Sequence, residues 1–235
     1  MITAKEIRAA YFFDLDDTIY DQLLPFKDAV RTTLNIEHDF PYESFFIKVR
    51  EASDLLWTRY KEGEITLTEL RLQRLVHSFN LFGETITVHD AEKIQAEYEK
   101  RQHNIYCFEG FIPFITELIK KDCVVGLITN GPVKHQMKKV YALKLLHYIS
   151  KENIFISDAV GFAKPDKRIF HHVTEKIGFA PKHCYYIGDS WTNDVVASSE
   201  AGWNSIWFNY RHKHRKTDHT PYETIKSYHT ALNFL

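Results

Sequence analysis

Three cysteines in 235 residues are too few, and odd in number, to staple a fold with disulfides. Cys107, Cys123 and Cys184 read instead as free thiols of a reducing compartment. Charge of one sign is also missing. The net charge of −1 gives no overall field that would draw the chain to nucleic acid or to an anionic membrane. No stretch approaches 18 uninterrupted apolar residues, so none reads as a membrane-spanning helix. The opening MITAKEIRAAYFFDLDD has a short apolar run that ends in acid, unlike a secretory leader. Internal repeats and low-complexity segments are absent too. These absences set the expectation of a cytoplasmic protein, monomeric or homodimeric, with neither a nucleic-acid nor a membrane partner. What is present is a globular composition, 44% hydrophobic and rich in Phe and Tyr. The length suits one large domain, or a core with an insert.

Local patterns divide the chain. Ile7 to Phe13 reads as a short buried strand that stops at Asp14. From about Phe26 to Arg101 the periods are helical. SFFIKVREASDLLWTRYKEG places Phe45, Val49, Ala52, Leu56 and Tyr60 at helical spacing, with Pro41 in the first turn and Gly63 as a terminator. ITLTELRLQRLVHSFNLFG repeats the theme, with Thr66 or Thr68 as cap and Gly83 as end. VHDAEKIQAEYEKRQHN is a third helix. After Gly110 strands and helices alternate. Strands are expected at 123–129, 153–157, 183–189 and 204–208, and helices at 133–146, 165–177 and 192–201. Alternation of this kind predicts an open parallel sheet covered by helices, a Rossmann-like α/β fold. The expected domains are a core of residues 1–20 and 105–235 and an all-helical insert of residues 21–104. The basic run RHKHRKTDH (211–219) reads as a solvated loop.

Ligands of open parallel sheets bind outside the carboxyl ends of the strands. Four such ends, or the loops after them, carry polar residues: Asp14 and Asp16, Thr129 and Asn130, Lys164, and Asp189 with Asp194. Parallel, adjacent strands bring them to one edge. Four carboxylates against one lysine are unfavourable without a further cation, and an oxygen-only donor set suits Mg²⁺. A calcium loop does not fit, because Thr18 and Ile19 stand at the fifth and sixth positions of DLDDTI. Two acids at i and i+2 just past a strand can share one site, one attacking phosphorus and the other exchanging a proton with the leaving group. The Thr129 hydroxyl and nearby N–H groups can hold phosphoryl oxygens, and Lys164 can neutralise them.

These residues resemble the haloacid dehalogenase superfamily over nearly the whole chain. FFDLDDT matches its first motif, LITNG its second, AKPDKRIF its third and GDSWTND its fourth. The helical insert is similar to the family's C1-type cap. The resemblance implies a Rossmann-like core and Mg²⁺-dependent phosphoryl chemistry. It implies Asp14 as nucleophile, Asp16 as general acid/base, Thr129 and Asn130 as phosphoryl-binding residues, and Lys164 as the residue that orients Asp14. It further implies Asp14, the Asp16 carbonyl and Asp189 as metal ligands, with Asp194 behind them. The dehalogenases proper lack the second acid, so Asp16 favours a phosphatase. A sugar phosphomutase and a non-catalytic phosphate-binding module stay open as alternatives. LLWTRYKEGEIT and TNGPVKHQ are similar to bacterial pyrimidine 5′-nucleotidases, which makes a small phosphorylated metabolite such as a nucleoside monophosphate the expected partner. Trp57 and Tyr60 in that stretch are expected to pack the core of the insert.

Overall fold

The computed structural model describes residues 9–34, 36 and 39–231. They form two compact units. One runs to Asp21 and resumes at Tyr106; the other is Gln22–Ile105.

The unit Gln22–Ile105 is helical. It holds α1 (Leu23–Leu34), α2 (Tyr42–Lys61), α3 (Leu67–Leu81) and α4 (Val88–Arg101). Sequence signals set the ends. Thr66 and Thr87 each open a helix through a reciprocal capping box, with Glu69 and Asp90 as partners. Gly63 and Gly83 close helices at φ of 76° and 75°, a left-handed turn that costs glycine little. Pro41 sits just before α2 rather than within its first turn. The core of this unit is aromatic, with the Phe45 ring in contact with those of Phe26, Phe40 and Phe79. Trp57 and Tyr60 lie outside that core, which corrects the sequence expectation. They are half-buried, their rings tilted at 52° with centroids 5.2 Å apart, with the Lys61 ammonium 5.4 Å from the Trp57 ring. Helical spacing told that the two share a face but not which face is buried.

The other unit is a six-stranded parallel sheet of β1 (Ala10–Phe13), β2 (Val124–Thr129), β3 (Ile154–Ile156), β4 (Cys184–Gly188), β5 (Asn204–Phe208) and β6 (Glu223–Ile225). The order is β3-β2-β1-β4-β5-β6. Its connections contain α5 (Phe111–Lys120), α6 (Val133–Ala142), α7 (Ser157–Val160), α8 (Arg168–Ile177), α9 (Ala197–Glu200) and, after β6, α10 (Tyr228–Ala231). Central strands covered on both faces read as continuous apolar runs, as in AYFF and VVGLIT. Gly126 in β2 is required by contact: a Cβ there would lie 2.1 Å from the Phe12 ring.

Several boundaries differ from expectation for local reasons. Residues 7 and 8 of the first expected strand lie outside the described residues. Lys144, at φ 56°, is left-handed and ends α6 before a short 3₁₀ turn. The helix after Lys164 begins at Arg168, whose N–H is capped by the Asp166 carboxylate at 2.9 Å. The expected helix at 192–201 is a π-helical segment, Trp191–Val196, that runs into α9. β6 has no counterpart in the sequence reading. The neighbours of β1 are β2 on one side and β4 on the other, so the strand order reverses there. The crevice at that switch point, outside the strands' carboxyl ends, is where a doubly wound sheet accepts a ligand.

Candidate functional site

Asp14 follows the last residue of β1, and its N–H donates to the Ile187 carbonyl of β4 at 2.9 Å. Asp189 follows β4. Asp194 comes from the π-helical segment. One carboxylate oxygen of each of these three buried acids lies within 4.8 Å of the others. Lys164, in the loop before α8, is 5% exposed and stands among them. Its ammonium donates to Asp14 Oδ1 at 2.8 Å, Asp194 Oδ1 at 2.6 Å and the Tyr186 hydroxyl at 2.7 Å. All three of its protons are thereby placed. The Tyr186 hydroxyl in turn donates to the Ile128 carbonyl of β2 at 2.7 Å. The other oxygen of Asp194 accepts from the Ser190 N–H at 2.8 Å.

Thr129, at the end of β2, is buried, and its hydroxyl accepts from Gln136 Nε2 at 3.0 Å. Asn130 does something else. Its carboxamide accepts from the Lys164 N–H at 2.9 Å and donates to the Lys164 carbonyl at 2.7 Å. It therefore clamps the backbone that carries the central lysine.

The reading of four negatives against one positive is corrected here. Each acid of the DLDD run has a cation close by. Asp14 has Lys164, Asp16 has Lys139 at 2.6 Å, and Asp17 has Arg211 at 3.2 Å. Asp189 has Lys213 at 2.5 Å. The loop 211–219 is accordingly not simply solvated. The Arg211 side chain is only 6% exposed and also reaches Asp21 at 2.5 Å. Asn209 holds the Lys213 backbone as Asn130 holds that of Lys164: it accepts from the Lys213 N–H at 2.7 Å and donates to its carbonyl at 3.0 Å. The crowded turn is stabilised further by Thr18, whose hydroxyl accepts from the Asp189 N–H at 3.1 Å. Tyr20 donates to Asp16 Oδ1 at 2.5 Å.

Charge remains expensive even so. Burial, ahead of all other causes, pushes Asp14 and Asp189 up to about 6. The adjacent lysines pull each back only in part, and neighbouring carboxylates add to the rise. Burial likewise raises Asp194, again against the pull of Lys164. Lys164 is raised by Asp14 and Asp194, which outweigh its own burial. The cysteine thiols are poor nucleophiles, since burial holds Cys107 and Cys184 up at about 11.

The residues missed from sequence are Gln136, Lys139, Arg211, Lys213 and Tyr186. A signal existed for two of them. In α6 the buried positions are Gln136, Lys139 and Val140, followed by Leu143. Their spacing of i, i+3, i+4 and i+7 is that of a core-facing stripe, so a glutamine and a lysine on it need internal partners.

Switch-point topology and a buried carboxylate–lysine group define the class: a doubly wound α/β protein with a hard, polar site at its sheet edge. A family model described as haloacid dehalogenase-like hydrolase matches residues 9–202, and the chain belongs to that family. Among curated relatives, pyrimidine 5′-nucleotidase YjjG of Escherichia coli is 26% identical, over 95% of this chain and 96% of its own. Glyceraldehyde 3-phosphate phosphatase of Methanothermobacter thermautotrophicus is also 26% identical, over 89% of each. Among solved structures, the putative HAD-hydrolase YfnB from Bacillus subtilis bound to magnesium superposes with a TM-score of 0.73. It shares 24% identity and covers 98% of this chain and 99% of that one. The L-2-haloacid dehalogenase RSc1362 gives 0.77 at 15% identity, over 97% and 98% of the two chains. At such identities the likeness shows the fold and does not separate the branches of the family.

One glycine is decisive for the site. A Cβ on Gly188 would lie 2.4 Å from Asp194 Cγ, and Asp194 is pinned by Lys164 and Ser190. Gly188→Ala is expected to displace Asp194 and Lys164 together. Overpacking of this kind costs about 1–3 kcal/mol, and a catalytic group moved by an ångström loses roughly 100-fold in rate. Thermal unfolding and steady-state kinetics on the purified variant check both.

Proposed function

We propose that the chain is a Mg²⁺-dependent phosphatase of small phosphate monoesters, working through a phosphoryl group carried on Asp14. The observation that carries this reading is the buried triad Asp14, Asp189 and Asp194 around Lys164, with a further carboxylate, Asp16, two residues from Asp14 on its own cation.

Asp14 attacks phosphorus in line, and the bond from phosphorus to the ester oxygen breaks. Asp16 gives the leaving alkoxide its proton. Water then attacks the phosphoryl group, Asp16 takes a proton from it, and the Asp14–phosphorus bond breaks to release phosphate. Lys164 fixes Asp14 and offsets its charge. The Thr129 hydroxyl and the Asn130 main-chain N–H hold phosphoryl oxygens; the Asn130 side chain holds Lys164 in place. An all-oxygen donor set fits a hard divalent cation. Asp14, the Asp16 carbonyl and Asp189 would hold Mg²⁺, with Asp194 behind them, and the ion would supply charge neutralisation at the phosphoryl oxygens. We assign residues 21–104 as a cap that admits substrate and excludes bulk water, moving on connections near 18–24 and 103–110.

The presence of Asp16 favours this over dehalogenation, which has no alkoxide to protonate. Two relatives are named for phosphate monoesters, a pyrimidine nucleotide and a triose phosphate. We place the substrate in that range, with nucleoside 5′-monophosphates first because YjjG is matched over nearly its full length. Among the described residues no helix is long and apolar enough to cross a membrane, and a cytoplasmic location belongs to the same proposal. The test is phosphate release from a panel of nucleoside monophosphates, sugar phosphates and phosphoglycolate, with and without Mg²⁺. Mg²⁺-dependent release from a subset is expected. No release from any ester would favour a mutase or a binding module.

The metal assignment carries its own pH signature. Asp14 and Asp189 titrate near 6 in the fold, above their ordinary range. Their protonated forms favour folding at low pH, and that contribution is lost as pH rises through about 6. A divalent cation requires the ionised forms. Mg²⁺ is therefore expected to raise the melting temperature more at about pH 8 than at about pH 5. Equal shifts at both would place the cation elsewhere.

A further inference from the structure

Lys139 is the most completely buried charge of the sheet unit that the proposed chemistry does not use. It is 1% exposed, yet its ammonium lies 2.6 Å from both oxygens of Asp16. Asp16 stands on the loop after β1, 123 residues away in sequence. The ammonium meets both oxygens and so fixes the position of the carboxylate, while Tyr20 and Gln136 bear on its two oxygens separately. Gln136 lies one turn earlier on the same face of α6. Its Nε2 donates to the Thr129 hydroxyl at 3.0 Å and to the Asn130 carbonyl, with Asp16 Oδ2 at 3.4 Å as a weaker neighbour. One helix face thus ties the Asp16 carboxylate to the end of β2. Tyr20 adds a hydrogen bond to Asp16 Oδ1.

A carboxylate that only needed neutralising at the surface would not require a buried lysine. Burying an ammonium is costly, and a buried pair is often no more stabilising than apolar residues of the same size. Such a pair is best accounted for by what it positions. We infer that Lys139 is a positioning residue that holds Asp16 in the orientation from which it exchanges a proton with the leaving-group oxygen. This rests on the proposed acid/base role of Asp16, and Lys139 acts through Asp16 rather than on the substrate. Gln136 extends the same register to the Thr129 hydroxyl, so proton exchange and phosphoryl binding are set by one helix.

The test compares Lys139→Met, Lys139→Arg, Asp16→Asn and the double variant Asp16→Asn/Lys139→Met. Each is assayed with Mg²⁺ on an alkyl phosphate and on nitrophenyl phosphate, since only the alkyl leaving group needs the proton. Lys139→Met is expected to lose ~100-fold on the alkyl ester, the scale of an ångström misplacement, and several times less on the nitrophenyl ester. Lys139→Arg, whose fork can meet both oxygens, is expected to recover most of that loss. The double variant is expected to be no slower than Asp16→Asn alone. Equal losses on both esters, or losses that multiply in the double variant, would overturn the positioning role. Asp16→Asn by itself reports on the underlying reading: if it lacks the leaving-group preference, the acid/base assignment fails first. If Lys139→Met does not fold, the double variant decides, because it removes both charges. Failure of that protein to fold would show that Lys139 serves packing, and the inference would be wrong.

Discussion

Asp14→Asn is expected to abolish turnover while the protein keeps its fold. Removing a nucleophile that forms a covalent intermediate costs on the order of 10⁴- to 10⁶-fold. The substitution removes the charge at a position where burial already pushes the carboxyl up to about 6, so ionisation there is unfavourable to folding. Lys164 retains Asp194 at 2.6 Å and Tyr186 at 2.7 Å, and is not left alone. The melting temperature should therefore stay close to that of the parent. A pure variant with substantial activity would remove Asp14 from the role of nucleophile. A variant that unfolds would show that the Asp14–Lys164 contact is structural first.

Lys164→Met is expected to fail in the opposite way, with stability lost along with activity. It leaves Asp14 and Asp194, at 8% and 1% exposure, without the cation that lies against both. Breaking a buried pair by removing one partner costs about 3–5 kcal/mol. The Asn130 clamp would still hold the loop backbone, because it bonds to the main chain of residue 164. The loss is therefore electrostatic. Because the two acids are destabilising only when ionised, lowering the pH toward 5 should restore part of the stability, and Mg²⁺ at neutral pH should restore part as well. Denaturant unfolding at two pH values, with and without Mg²⁺, measures this. A loss independent of pH would assign it to packing.

The contrast between these two variants follows from what the sequence could and could not disclose. Strands that are buried on both faces must be apolar throughout, so an abrupt acid such as Asp14 or Asp189 marks a strand end in the sequence itself. Four such ends, ordered along a strand–helix alternation, point to a candidate site at the sheet edge. Caps were legible for the same reason: Thr66, Gly63 and Gly83 satisfy local backbone demands. The cations were not legible. Lys139, Arg211 and Lys213 sit in a lysine-rich helix and a basic loop, where most charges are solvated. Their partners are 123, 194 and 24 residues away. Only the fold brings them in. Asn130 shows the same limit within a recognised motif. Its position was evident, but its carboxamide serves the Lys164 backbone, a tertiary contact across 34 residues. β6 escaped because three residues, ETI, carry too little period to distinguish a strand from a loop.

The measurement that reaches the central claim most directly is the melting temperature of the wild type and of Asp14→Asn, with Mg²⁺ and beryllium fluoride added together. Beryllofluoride on an aspartate imitates an aspartyl-phosphate. A rise in the wild type beyond that given by Mg²⁺ alone, absent from Asp14→Asn, is the result expected if Asp14 carries the phosphoryl group beside a divalent cation. No rise in the wild type, or the same rise in both proteins, would contradict it.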